Sequence, residues 1–393
     1  MLKPRRAKPI WLGAAWVFES SVDRVRGVGR LEDGDIVEVC DDQGRRLGDG
    51  FWNGKSLIRV RMLTGPDEVF DRGLLRRRLE SAIALREQSL GLARRASAYR
   101  LVHAEGDRLP GLIVDRLGDQ LVIQCETAGM NRLLEPVLEG LDALCRPRAI
   151  WRRVSQLARQ EEGITEADGL LRGEASEGPV EIQEDGVRFL IDPAAGQKTG
   201  FYTDQRENRG HLAQCVQGRT VLDAFSYVGA FGLHALVRGG AKEVLAVDSS
   251  APALEAADAS ARLNGVEDRF RTEKANVLRF LDHARQDERR FEVVVLDPPK
   301  LVPKKGDLRR GLRLYEEINT KGLKVVAAGG LLATCSCSGA VSEEDFERMI
   351  QSAAQAAGRS LRRVWRAGQG GDHPVVPGQA ESSYLKFQLY DVE

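Results

Sequence analysis

"RTVLDAFSYVGAFGLHALVRGGAKEVLAVDSSAPALEAADASARLNG", residues 219–265, decides the fold. An apolar strand ends in a turn at Asp223–Gly229, and a helix follows through "AFGLHALVRGG". A second strand, "EVLAVDSS", then leads into the helix "APALEAADASARLNG". Downstream, "FEVVVLDPPK" (291–300) is another apolar strand ending in a turn, and "INTKGLKVVAAGG" (318–330) and "GLLATCSCS" (330–338) continue the alternation. Strands that are apolar throughout are covered on both faces, so strand–helix alternation of this kind predicts a parallel, doubly wound α/β sheet. Ligands of such sheets sit beyond the carboxyl ends of the strands.

Upstream the pattern differs. Short apolar runs punctuated by Gly and Asp ("WVFESSV", 16–22; "DIVEVCDDQGRRLGDGFWNG", 35–54; "SLIRVRML", 56–63) predict a small β-barrel or sandwich over residues 1–70. Residues 71–98 carry Leu and Ala at helical spacing and predict one long helix. Strands at 99–106, 109–118, 120–127, 149–155 and 187–192, with a helix at 129–145, make residues 71–190 an α+β segment. "EEGITEADGLLRGEASEGPV" (161–180) reads as an exposed acidic connection, and residues 191–393 form the doubly wound segment.

Hydrophobic residues make up 42% and charged residues 30% of 393, an ordinary balance for a globular protein, and no apolar run is long enough for a membrane span. The basic N-terminus is a poor signal peptide, and six scattered cysteines make no disulfide framework, so a cytoplasmic protein with reduced thiols is expected. Net charge is zero but uneven: residues 1–100 hold 20 Lys+Arg against 14 Asp+Glu, residues 101–200 hold 11 against 18. Arg76, Arg77, Arg78, Arg94 and Arg95 concentrate the excess. Such a run is a solvated helix face or a strip that contacts phosphates.

Four features fall at the strand ends. Asp223 and Gly229 frame the first turn, which lacks the G-x-G-x-x-G spacing of dehydrogenases. Asp248 ends the second strand, where a carboxylate accepts ribose hydroxyls, or alternatively caps the next helix as Ser249 or Ser250 would. In "DPPK" the prolines stiffen the chain, so Asp297 and the carbonyl of Pro298 become fixed acceptors able to meet an exocyclic amine; a plain structural turn is the alternative. In "TCSCS", Cys335 and Cys337 share one face of a strand, with Ser336 opposite. Their spacing is poor for zinc and no metal is expected. Cys335 reads as a buried core thiol, and Cys337, nearer the carboxyl end and Asp297, as a nucleophile.

These motifs resemble the class I S-adenosylmethionine-dependent methyltransferases that act on cytosine carbon 5 of large-subunit ribosomal RNA, the ribosomal RNA large subunit methyltransferase I family. "GQKTGFYTDQRENR" (196–209), "VLDAFSYVGAFGLHAL" (221–236), "VDSS" (247–250), "LDPPK" (296–300), "YEEIN" (315–319) and "SCSG" (336–339) carry the resemblance, together with "EGDRLPGLIVDRLGD" (105–119) and "DHPV" (372–375). It implies an N-terminal PUA domain, a central α+β domain and a Rossmann-like catalytic domain. It also implies S-adenosyl-L-methionine contacts from Phe201, Tyr202, Asp204, Gln205 and Arg206. Asp223, Phe225, Ser226 and Gly229 would line the methionine part, with Asp248 and Ser249 at the ribose. The family has Asp where this chain has Asn276, whose oxygen can still accept from the adenine amine, and Phe where it has Leu301. The family's thiol is that of "SCSG", hence Cys337, although a neighbouring group of RNA cytosine methyltransferases places its nucleophile in a "TCS" run, present here at Cys335.

Because carbon 5 of cytosine is a weak nucleophile, the implied chemistry adds a thiolate to carbon 6 first, with Asp297 beside ring nitrogen 3. The target cytosine must be single-stranded or flipped out. Lys198, Lys300, Lys304 and Lys305 would steer its phosphates, and Arg76, Arg77 and Arg78 would grip neighbouring RNA. The partner implied is large-subunit ribosomal RNA, with no membrane; a homodimer is compatible with the sequence. The rivals are a nitrogen-directed RNA base methyltransferase, which needs no thiol, and a non-catalytic RNA-binding assembly factor.

Overall fold

The computed structural model describes residues 1–27, 29–194 and 200–393. The decisive stretch forms part of a seven-stranded sheet. Its strands are β1 (Thr220–Ala224), β2 (Glu243–Asp248), β3 (Phe270–Lys274), β4 (Phe291–Leu296), β5 (Val326–Ser336), β6 (Leu361–Ala367) and β7 (Lys386–Val392). Their spatial order is β3-β2-β1-β4-β5-β7-β6. The first five run parallel, and β7 enters antiparallel to both β5 and β6. Helices α1 (Arg206–Ala213), α2 (Ala230–Val237), α3 (Ala251–Leu263), α4 (Val277–Gln286), α5 (Leu308–Val325) and α6 (Glu343–Ala357) accompany the sheet.

The central strands are apolar because both faces are covered. Leu222, Val294, Leu296 and Leu332 join Phe280, Leu281, Ile318, Leu323, Phe346 and Ile350 of the flanking helices in one core. The order in which successive strands are added reverses between the parallel neighbours β1 and β4, which opens a crevice at their carboxyl ends. There the Asp297 amide reaches across to the Ala224 carbonyl (3.3 Å) and ties the two strand ends together.

The chain divides into two compact units. One comprises Met1–Val180, Asp192–Thr203 and Gly371–Ser382; the other comprises Glu181–Ile191, Asp204–Gly370 and Ser383–Glu393. The hairpin of Val180–Glu184 and Val187–Ile191, assigned from sequence to the middle segment, packs on α3, where the Leu190 amide donates to Ser260 Oγ (3.0 Å).

In the N-terminal unit, strands Trp16–Phe18, Ile36–Cys40, Arg46–Trp52 and Ile58–Met62 form one sheet. Ala98–His103, Leu112–Leu117, Gln120–Cys125, Ala149–Arg152 and Gly169–Gly173 form a second, in chain order. The last of these strands lies inside the stretch expected to be an acidic connection. The expected helix over 71–98 is also shorter, running Arg72–Ala84, followed by the wider turn Leu85–Ser89 and a break at Gly91, whose φ is +61°. Arg86 explains the break. Its guanidinium is wholly buried, bonding Asp107 (2.6 Å) and the Asp372 carbonyl (2.7 Å), which draws the chain off the helical path. No helix among the described residues is long and apolar enough to cross a membrane.

Candidate active site

At the end of β1 the chain turns sharply. Phe225 (φ +61°) and Tyr227 (φ +50°) adopt left-handed backbone that side chains rarely tolerate, and Gly229 (φ +71°) completes the turn into α2. A Cβ on Gly229 would approach the Phe270 ring to 2.7 Å, so only glycine fits. Gly229 cannot cap α2 with a side chain. Asp223 does it from the strand, accepting from the Gly232 amide at 2.9 Å. The Ser226 hydroxyl is buried and meets no protein partner among the described residues.

Asp248 ends β2 and accepts from the amides of Tyr227 (2.9 Å) and Ser250 (2.8 Å). The cap of α3 falls to Ser250, which accepts from the Ala253 amide, so capping does not account for Asp248. Ser249 is exposed. Asn276 caps α4 through its side-chain oxygen, accepting from the Arg279 amide (3.2 Å) and so using one of the two lone pairs of the oxygen expected to meet an adenine amine.

Asp297 follows β4 and accepts from Gln205 Nε2 (3.2 Å). Gln205 in turn accepts from Asn208 (2.6 Å), and Asn208 donates to the Gly368 carbonyl (3.2 Å). Asp204 accepts from the Tyr384 hydroxyl at 2.6 Å. Burial raises the Asp297 carboxyl to about 7, helped by the charge of Asp204. Burial likewise raises Asp223 to about 7, with Asp297 and Asp248 adding repulsion. Carboxyls crowded this way at strand ends form a site for a cationic ligand.

The two thiols separate. Cys335 lies within β5, fully buried, in polar contact with Asp297 and Gln205. Burial, then the Asp297 charge, pushes its thiol well above the ordinary range, so it stays protonated. Cys337 lies just past the strand, half-buried, with Sγ 4.0 Å from the Pro298 carbonyl. The sequence leads one to expect Cys337 beside Asp297, but Cys335 holds that position. The cause is register: Leu296 pairs with Thr334 across the parallel ladder, so Asp297 faces Cys335 and the next residue faces the turn.

Several expected site residues do other work. Arg206 is wholly buried beside Glu184 (3.5 Å), which Arg209 grips with two bonds of 2.7 Å and His234 meets at 3.0 Å. Glu184 therefore meets the Arg206 charge within the protein. Arg78 is also buried, bonding the carbonyls of Leu63 and Arg108, so it cannot grip RNA as expected. Its place on the inner face of its helix decides this. Arg76 and Arg77 are exposed, Arg76 pairing with Glu80 (2.9 Å). Lys300, Lys304 and Lys305 are exposed, and Lys198 lies outside the described residues. Phe201 is buried and Tyr202 half-buried; both group with the N-terminal unit.

Reading motifs missed Asn208, Tyr384 and Lys386. Asn208 stands inside the quoted "DQRENR" run without a role. Tyr384 and Lys386 are remote in sequence, and no local signal marks them. Tyr315 of "YEEIN" acquires a role: its hydroxyl lies 3.0 Å from the hydroxyls of both Ser336 and Ser338. Among the described residues, no group of three His, Cys, Asp or Glu side chains is placed to hold a metal.

Residues 153–388 match the S-adenosylmethionine-dependent methyltransferase family, and residues 1–65 match a PUA-like domain. Over 100% of its length the chain is 38% identical to ribosomal RNA large subunit methyltransferase I of Alteromonas mediterranea, covering 98% of that protein. The protein of the same name from Aeromonas salmonicida is 38% identical over 97% of this chain and 96% of its own. The chain belongs to this S-adenosylmethionine-dependent methyltransferase family. A solved structure from Streptococcus mutans described as a methyltransferase of this class shares the fold (TM-score 0.85, 18% identity, covering 100% and 99% of the two chains). So does a methyltransferase complexed with S-adenosylhomocysteine (TM-score 0.85, 18% identity, 98% and 97%). S-adenosylmethionine is thus the cofactor, and the site fits it. Carboxyls suit its sulfonium and ammonium, and Ser226 offers an unused hydroxyl.

Proposed function

We propose that this methyltransferase modifies carbon 5 of a cytosine in large-subunit ribosomal RNA through a covalent adduct on Cys337. The ribosomal RNA target follows the names of the curated relatives. The observation that carries the chemistry is the division of the thiols. Cys335 is buried and held protonated, whereas Cys337 is half-buried at the mouth of the crevice, over the Pro298 carbonyl.

Asp223, Ser226, Gly229 and Asp248 would hold the cofactor, which supplies a methyl group made electrophilic by its sulfonium. Cys337 as thiolate adds to cytosine carbon 6, and the electron pair moves toward carbon 5. Asp297, with its carboxyl raised to about 7, is protonated often enough near neutrality to share a proton with ring nitrogen 3 and stabilise that adduct. After carbon 5 is methylated, its proton leaves to a base and elimination restores the Cys337 thiolate. The base must be flipped or single-stranded to reach this depth.

Cys337→Ala should abolish 5-methylcytosine, measured by mass spectrometry of large-subunit RNA from a deletion strain complemented with each variant. RNA containing 5-fluorocytosine should be trapped on Cys337; trapping on Cys335 would overturn the assignment. A nitrogen-directed reaction is favoured by one feature, the pairing of Asp297 with the Pro298 carbonyl as acceptors for an exocyclic amine. It predicts that Cys337→Ala keeps most of its activity.

A further inference from the structure

Lys386 is 2% exposed, yet its ammonium enters the sheet from β7 directly opposite Ser336, the residue between the two cysteines. Its three donors go to three carbonyls: Ser338 (2.6 Å), Val341 (2.8 Å) and Tyr384 (2.9 Å). Two of them belong to the turn that follows Cys337. Carbonyls satisfy the hydrogen bonds but bring no negative charge, and among the described residues no carboxylate is in ion-pair contact with this ammonium. A buried cation in that position is costly unless something nearby carries the opposite charge.

We propose that Lys386 is a positioning residue for Cys337, pinning the 338–341 turn and favouring the Cys337 thiolate by its buried positive charge. This rests on the reading of Cys337 as nucleophile. The groups around the pair leave Lys386 as the buried cation. Tyr315, on α5, is neutral, its phenol pushed up to about 12 by burial and by the charge of Cys337. Cys335 is protonated, and Lys300 at the "DPPK" turn is exposed to water. Glu343, at the start of α6, acts on Lys386 from a distance and offsets part of its charge. Burial brings the Lys386 ammonium down to about 8, with Lys300 adding a little; Glu343 and then Cys337 act in the opposite direction, so Lys386 and Cys337 each favour the charged form of the other. A staple for the turn alone would need donors but no charge.

The test is the pH dependence of Cys337 alkylation by iodoacetamide, located by tandem mass spectrometry in the wild type, Lys386→Arg and Lys386→Gln. In the wild type the midpoint should fall below the roughly 8.5 of an ordinary thiol. Lys386→Gln should raise it by about one pH unit, slowing alkylation at pH 7 about tenfold, with the high-pH rate kept. Lys386→Arg should retain the wild-type midpoint. An unmoved midpoint in Lys386→Gln overturns the proposal. So does a wild-type midpoint at or above the ordinary value, which needs no variant to fold. Alkylation does not depend on methyl transfer, so an active Cys337→Ala enzyme would defeat the nucleophile reading separately.

Discussion

Asp223 and Asp297 show how single residues couple this site to pH. Both carboxyls are raised to about 7 in the folded protein, chiefly by burial. A carboxyl raised on folding contributes stability that is full below its unfolded value, near 4, and is lost as pH rises through the folded value. The ligand-free protein should therefore lose stability between about pH 4 and pH 7 from these two groups. A cationic ligand favours their charged forms and releases the protons. S-adenosylmethionine should raise the melting temperature more at pH 8 than at pH 6; an equal or larger rise at pH 6 would contradict the assignment. Gly229 sets a second residue-scale limit. Gly229→Ala must accept both φ +71° and a contact of 2.7 Å with Phe270. It should cost about 1–3 kcal/mol in urea unfolding and weaken cofactor binding in calorimetry.

At the scale of elements, the hairpin 180–191 is clamped to α1 and α2 by one carboxylate. Glu184 is wholly buried between Arg206, Arg209 and His234, and although burial opposes its charge, Arg209 and His234 hold it down to about 2. A carboxylate lowered in this way contributes stability above its unfolded value and loses it as pH falls toward 2. Glu184→Gln keeps the shape but leaves two buried guanidinium groups uncompensated, so denaturant unfolding should show a loss of about 3–5 kcal/mol. A change under 1 kcal/mol would mean that the arginines find other partners. The same clamp orients α1, and the turn just before α1 carries Gln205 to Asp297. None of this is visible in "EIQEDG", where Glu184 looks like one acidic residue among several. Its partners lie 22, 25 and 50 residues away in the chain.

For the molecule as a whole, the excess of positive charge in residues 1–100 fits a polyanionic partner, and Arg72, Arg76 and Arg77 are exposed on the helix Arg72–Ala84. Reversing Arg76 and Arg77 to Glu should weaken RNA binding and flatten its dependence on salt, while S-adenosylmethionine affinity stays unchanged. An unaltered salt slope would remove this strip from the RNA contact. Several things were legible in the sequence because they are local. The alternation of apolar strands and helices specifies a sheet covered on both faces, and the motifs at 223–229, 248 and 297–300 fall at strand ends because strands end where the apolar runs end. What remained illegible depends on which chain atoms meet across the sheet. The β4–β5 register put Cys335, not Cys337, against Asp297. The inner face of its helix took Arg78 out of solvent, and Glu184 claimed Arg206. The antiparallel entry of β7 brought Lys386 under the turn that follows Cys337. Periodicity determined the elements and their ends; only packing decided which charges are buried together, because burial and distance set what each group can do.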